Sequence, residues 1–174
     1  MGRALWKRRV SVAVRVLTPD DLDAYRELHR FGLAHAPEAF AETSAQDAAR
    51  SDEEVASDLA RGETWGAFLN DRLIGKLVID APPWAAFQHT RWLHGVYVHP
   101  DARGAGAADA LMRGALAHAK AAGAFIAVLW VNEKNAAALK FYERFGFREV
   151  GRIAKGIAVK GAYVDDVMMR LELE

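Results

Sequence analysis

Two short stretches of this chain hold residues whose types and spacing suit chemistry. The first is HPDARGAGAADALM, residues 99–112, in which Arg103, Gly104, Ala105, Gly106, Ala107 and Ala108 separate an apolar strand pattern from a helical one. Three phosphate-binding readings compete for it. A P-loop needs Gly-Lys followed by Ser or Thr, which is absent. A dinucleotide fingerprint would run Gly104, Gly106 and then Asp109, so its last small residue is missing, and no acidic residue follows about 20 residues on to take a ribose hydroxyl. The third pattern is Arg-x-x-Gly-x-Ala, carried by Arg103, Gly106 and Ala108. It is a turn into a helix N-terminus, where small side chains leave successive N–H groups open and the helix dipole adds positive potential. Such a nest suits a pyrophosphate, with Arg103 as an added charge. A plain strand-to-helix turn in an alanine-rich chain reads the same way.

The second stretch is NAAALKFYERFGF, residues 135–147. Its Asn135, Ala138, Leu139 and Tyr142 fall at i, i+3, i+4 and i+7, on one face of one helix. Asn135 also suits a helix cap, and Tyr142 suits a core aromatic with its hydroxyl at the rim. An apolar strand pattern lies between the two stretches, so both sets of residues end near it.

The elements that must position these residues follow from periodicity. VSVAVRVL (10–17) alternates and reads as a strand. Thr18 is an N-cap and Pro19 a first helical residue for a helix over roughly 20–33, with Leu22, Tyr25, Leu28 and Leu33 inward. HAPEAFAETSAQDAA reads as irregular, and Ser51 caps a short helix with acids in its first turn. A hairpin is expected with strands 64–69 and 72–80 around Asn70-Asp71. Strand 91–99, a helix to about 122 and strand 124–131 follow. The unbroken apolar run of that last strand predicts cover on both faces and a central, parallel-type position. A short helix ending at Gly146 and an antiparallel pair close the chain. The order predicts α+β with a mixed sheet.

Length and composition bound the function. The chain has 174 residues, 52% hydrophobic and 26% charged, enough for one packed domain over 10–174, with residues 1–9 read as a flexible tail. Basic and acidic residues both number 23, which leaves no nucleic-acid footprint. There is no cysteine, so disulfides, thiolate metal sites and a cysteine nucleophile are excluded together. The basic N-terminus lacks the apolar region of a signal peptide, and no apolar run spans a bilayer. The expectation is a cytoplasmic protein without membrane or nucleic-acid partners.

VYVHPDARGAGAADALM followed by NAAALKFYERFGF resembles the GCN5-related N-acetyltransferase (GNAT) superfamily, and the closing AYVDDVMMRLEL is similar to the final strands of its small-molecule branch. The resemblance is strong over 90–172 and limited to topology over 10–89. It implies a mostly antiparallel sheet, flanked by helices, with one splayed parallel pair. The strand matching Val96, Tyr97 and Val98 parts from its neighbour, and the pantetheine arm of acetyl-coenzyme A lies in the gap. The turn Arg103–Ala108 holds the pyrophosphate. Asn135, with Ala138 beside it, meets the pantetheine arm, and Tyr142 faces the sulfur. Ala108 is an accepted variant of the usual glycine. Ala105 stands where Lys, Arg or Gln is common, which removes one phosphate contact.

The chemistry implied is direct acetyl transfer to an amine. A lysine-like amine has a pKa of ~10.4, so a base or a water path must take its proton at pH 7. The thiolate, with a pKa of ~8.5, leaves more easily beside a donor such as the Tyr142 hydroxyl. A backbone N–H near Val96 polarises the carbonyl. The family often carries Glu on the strand before the glycine turn, but RWLHGVYV has none, which makes His94 the candidate base. Asp165 and Asp166 are candidates to bind a cationic amine, or form an exposed strand-end pair. Trp84 and Phe87 wall the acceptor site or cap the core, and His99 is expected in solvent. The partners expected are a small-molecule amine and, beyond it, a second copy of the chain in a homodimer. A peptide amine as acceptor, or a non-catalytic acyl-coenzyme A-binding module, remain the alternatives.

Overall fold

The computed structural model describes residues 12–173. The tail expected over 1–9, and the first residues of the strand expected from 10, lie outside the described residues. Seven strands form one sheet in the order β1-β2-β3-β4-β5-β7-β6. They are β1 (Ala13–Val16), β2 (Thr64–Leu69), β3 (Arg72–Asp80), β4 (Thr90–Val98), β5 (Ile126–Asn132), β6 (Arg148–Val159) and β7 (Ala162–Glu172). All neighbours pair antiparallel except β4 and β5. Five α-helices complete the fold: α1 (Leu22–His35), α2 (Ser44–Ala49), α3 (Asp52–Leu59), α4 (Ala107–Ala121) and α5 (Ala136–Arg144). The mixed α+β class is as the sequence predicts.

The local signals act as expected at several points. Asn70 and Asp71 take φ of 50° and 62°, the left-handed pair that closes a two-residue hairpin in step with strand twist. Ser51 and Glu54 form a reciprocal capping box at the start of α3. The 35–49 segment departs from the reading as irregular, because α2 forms there behind a second capping box, Thr43 with Gln46. Helix α2 has six residues, too few for apolar periodicity to show, so only its cap was visible in sequence.

Helix α4 packs across β1–β4 on one sheet face. Leu111, Met112 and Ala115 are fully buried there against Leu77, Leu93 and Leu129, each large side chain worth roughly 1.5–3 kcal/mol. Helix α5 joins the same core through Tyr142, and Arg144 reaches Asp109 of α4 in a two-pronged ion pair of 2.7 and 2.8 Å. Helix α1 covers β3 on the opposite face, where Leu17, Leu28, Leu59, Leu73 and Tyr97 form a second, smaller core.

Strand β5 corrects the expectation of cover on both faces. Ala127, Leu129 and Val131 face the α4 core, but Trp130, on the other side, is 47% exposed. Beyond the reach of α1 the sheet has a partly open face: Val128 and Asn132, on the same side of β5 as Trp130, are buried, so the strand is covered there in part.

Candidate active site

The parallel ladder of β4 and β5 is short. It joins Thr90–Leu93 to Ile126–Leu129 and stops, although β4 continues to Val98 and β5 to Asn132. Beyond Leu93 the two strands part, and β4 keeps its hydrogen bonds only on the β3 side. The unpaired edge includes Val96, Tyr97 and Val98. It offers N–H and C=O groups to an extended ligand chain, as an added strand would.

A bulge starts this departure. Pairs Lys76–Tyr97 and Val78–His94 leave one extra residue on β4, and Gly95 sits there at φ 61°, a left-handed conformation that glycine adopts without strain. The extra residue resets the alternation of side chains. Leu93, Val96 and Val98 all turn to the α4 core, while His94 and Tyr97 turn to the α1 face. The Tyr97 side chain therefore lies in the α1 core, its ring 5.4 Å from that of Phe40, and its contribution to the splayed edge is its backbone alone.

At the far end of β4 the chain turns into α4. Gly104 and Gly106 both hold left-handed φ, 80° and 81°, and a Cβ at either would meet nothing within 4 Å. Gly106 caps α4 without a side chain, so the first-turn N–H groups, Ala107 and Ala108 among them, have no side-chain cap. Arg103, Gly104 and Ala105 are exposed beside them. Fifteen residues of helix dipole point at this turn. The arrangement fits a pyrophosphate, because the open space at Gly104 and Gly106 leaves the backbone room to approach it.

On α5, Asn135 is the N-cap. Its Oδ1 accepts from Ala138 N–H at 3.0 Å, which leaves the side-chain amide N–H groups for other partners. Tyr142 is 8% exposed, packed on Phe141 and Phe147 within the core that also holds Ala107 and is lined by Ala138, Val96 and Val98. Burial pushes its phenol up to about 12, so the hydroxyl keeps its proton at any physiological pH and is able to donate a hydrogen bond.

On the α1 face, His94 Nε2 lies 3.0 Å from Asp80 Oδ2. A carboxylate only accepts, so Nε2 carries the shared hydrogen and Nδ1 of the neutral ring keeps its lone pair. Asp80, a residue the sequence did not single out, thereby fixes the tautomer; its Oδ1 is buried with no partner among the described residues. The hairpin register that brings β3 against β4 is the signal that would have found it.

The two aspartates part company. Asp165 is taken up by Arg152, at 3.4 Å, and by Lys155 N–H, at 3.0 Å, where it pins the irregular stretch of β6. The Lys155 amide and Arg152 hold its carboxyl below the usual range. Asp166 pairs across from Asn132 on the open face, half-buried, and burial raises its pKa. Trp84 and Phe87 do not cap the core. They are 60% and 48% exposed and pack edge to face with each other on the β3–β4 loop. His99 is not in solvent either. It is 8% exposed, its ring 4.2 Å from that of Phe31, and Nδ1 accepts from Asp101 N–H at 3.2 Å. The turn before α4 needs that cap, and α1 covers the ring.

Comparison with known proteins agrees with this geometry. The chain is 33% identical over 150 residues to a mycothiol acetyltransferase of Cellulomonas flavigena, covering 78% of this chain and 40% of that one. It is 30% identical over 93 residues to the L-methionine sulfoximine/L-methionine sulfone acetyltransferase of Pseudomonas aeruginosa, covering 52% of this chain and 54% of that one. The alignments thus span about half, or less, of those curated relatives. The yncA protein of Salmonella typhimurium, solved with its cofactor acetyl-CoA, shares the fold at a TM-score of 0.80 with 19% identity, over 94% of this chain and 95% of that one. The profile of the acetyltransferase (GNAT) family matches residues 23–147, and the chain belongs to that family.

Proposed function

We propose that the protein transfers the acetyl group of acetyl-coenzyme A to the primary amine of a small, amino-acid-like molecule, by direct attack. The observation that carries this is the parting of β4 from β5 after Leu93 and Leu129, with an anion nest at one end and a His–Asp pair on the acceptor side. Val96, Tyr97 and Val98 offer backbone groups to the pantetheine arm, Arg103–Ala108 to the pyrophosphate, and Asn135 its free amide N–H groups. The relative that acts on methionine sulfoximine and sulfone supports a small acceptor.

His94, held by Asp80, takes a proton from the acceptor amine through Nδ1. The amine nitrogen then bonds to the acetyl carbon as the carbon–sulfur bond breaks. The sulfur leaves with the bonding pair, steadied by the hydroxyl of Tyr142, and takes up the second proton, which the acylated nitrogen sheds, to give the free thiol, while the first passes from His94 to solvent. A phenol near 12 holds its proton more tightly than a thiol near 8.5, so Tyr142 stabilises the departing charge by hydrogen bonding. Asp166 borders the acceptor side on the open face.

Release of free thiol from acetyl-coenzyme A, followed across a panel of amino acids, plain amines and peptides, tests the reading. Amine-dependent release that His94→Gln removes is the expected result. Release with peptides alone would transfer the assignment to a peptide amine. Tight binding of acetyl-coenzyme A without release to any amine would leave a non-catalytic module.

A further inference from the structure

Lys76 lies in the middle of β3, only 2% exposed, and nothing in the transfer step above uses it. A buried ammonium is costly unless it is paired. This one makes no hydrogen bond, and no ion pair within 4 Å, with any described residue; its contacts are the rings of Tyr25 and Phe40, at 5.2 and 5.5 Å. Glu42 and Asp47 favour its charge from further off, but each is engaged elsewhere. Glu42 accepts from His29 at 2.9 Å, and Asp47 pairs with Arg30 at 2.9 Å and Arg26 at 3.5 Å. Burial brings the Lys76 pKa down to about 8, so the ammonium is still the main form at pH 7.

Its position gives the unused charge a meaning. A Cβ placed on Gly95 would lie 3.4 Å from Lys76 Nζ. Gly95 is the bulge at which β4 leaves β5, so the ammonium rests against the strand where the splay opens, on the face that carries His94 and Asp80. The aromatic rings close two of its flanks, and the N–H groups are left for a ligand at the splay.

We infer that Lys76 receives the carboxylate of the acceptor, and that the acceptor is an α-amino acid rather than a plain amine. This rests on the acetyl-transfer reading of the same site. In an α-amino acid the carboxyl carbon stands two bonds from the amine nitrogen, so a cation beside the splay is within reach while the amine is at the acetyl carbon. A plain amine arrives protonated and is set against the ammonium of Lys76 with no counter-charge. An α-amino acid brings its own, and supplies the oxygen acceptors that Lys76 lacks.

The test measures thiol release with leucine, methionine and phenylalanine, each as free acid and as primary amide, for the parent protein, Lys76→Met and Lys76→Arg. The amide amine is the less basic and is more often neutral, so a parent preference for the acid runs against amine reactivity. That preference is expected. Lys76→Met should lower kcat/KM for the acids roughly 10- to 100-fold, mainly through KM, as for loss of a hydrogen-bonded charge, and leave the amides unchanged. Lys76→Arg should keep part of the acid preference. Coenzyme A should raise the Tm of all three proteins alike, which also reports that the variants fold.

An acid-to-amide ratio that is the same in parent and Lys76→Met overturns the inference. So does an equal fall of kcat on acids and amides, which would make Lys76 a proton acceptor. Parent activity on plain or peptide amines with none on amino acids overturns it while acetyl transfer stands, and the absence of transfer to any amine overturns both. The parent's own acid-to-amide ratio is read without any variant, and a preference for the amide counts against the carboxylate site even if Lys76→Met does not fold.

Discussion

The two sides of the splay are made of different polar material. On the nucleotide side most of the polar groups are main-chain, the unpaired edge of β4 and the uncapped first turn of α4 behind Gly104 and Gly106, with the side chains of Arg103, Asn135 and Tyr142 beside them. On the acceptor side they are titratable side chains: Lys76 buried by Tyr25 and Phe40, His29 buried by Glu42, and the more exposed His94 by Asp80. Main-chain groups carry no titratable proton and lose little entropy when held by a helix or strand. Buried side chains must be desolvated, and some remain unsatisfied: His29 Nδ1, Tyr97 OH and Asp80 Oδ1 have no hydrogen-bond partner among the described residues. The first side suits a ligand part that never changes, and the second suits discrimination, because an unpaired buried group rejects a partner that fails to satisfy it.

This contrast breaks most sharply at Tyr142, the side-chain hydroxyl that serves the nucleotide side. Tyr142→Phe should lower single-turnover rates within the ~10²–10⁴-fold span of acid–base contributions and leave coenzyme A binding nearly unchanged. Rates equal to the parent's would make Tyr142 a core aromatic and leave Arg103 and Asn135 as the side chains of the nucleotide side.

The acceptor side should reveal itself in pH-dependent stability. The Lys76 pKa falls from 10.5 to about 8 on folding, so between those values the unfolded chain binds more protons and stability rises with pH. The parent should therefore gain up to about 3 kcal/mol relative to Lys76→Met from pH 8 to 10.5, read by denaturant titration. A constant difference across that window would mean that Lys76 is not desolvated. Tyr25 and Tyr142, both raised to about 12 by burial, lower stability above pH 10 in parent and variant alike and cancel in the difference.

The nucleotide side is probed by glycine. Gly106→Val places a branched side chain where the phosphates approach, and coenzyme A should no longer raise the Tm, against roughly 2.7 kcal/mol expected for the parent at a hundredfold excess over Kd. Gly62, at φ 75° with the same open space, is the control. Gly62→Val carries the same backbone strain and should keep the coenzyme A response. If both variants lose it, the Gly106 effect is strain and not a phosphate contact.

The smallest effect is expected at Asp80, which acts through His94. Asp80→Asn should cost about 1.5 kcal/mol, or roughly tenfold in kcat, with acceptor KM unchanged. A change in KM alone would move Asp80 from positioning His94 to holding the acceptor.

Much of the nucleotide side was legible because its residues are close in sequence. Arg103 to Ala108 and Asn135 to Tyr142 each occupy one turn or one helix face, and spacing reports such proximity. On the acceptor side the sequence pointed to His94 and Asp166 but not to Asp80 or Lys76. Asp80 is 14 residues from His94, and Lys76 stands 51 residues from Tyr25 and 36 from Phe40. Nothing in the spacing of RLIGKLVID separates a buried lysine from a solvated one. His99 looked solvated for the same reason, since the Phe31 ring that covers it comes from α1.

Taken alone, the order of residues determined the hairpin at Asn70-Asp71, the 3-10 turn at Pro19–Asp21 that Thr18 caps and that leads into α1, the helix start at Ser51, the glycine turn into α4 and the α+β class. Each depends on φ preferences, caps and periodicities that a short segment expresses by itself. The tertiary structure decided where β4 leaves β5, which face each β4 side chain takes after the bulge at Gly95, and which charges end up without partners. Those outcomes depend on register between strands and on helix packing, which set desolvation and distance, and neither quantity exists until the segments meet.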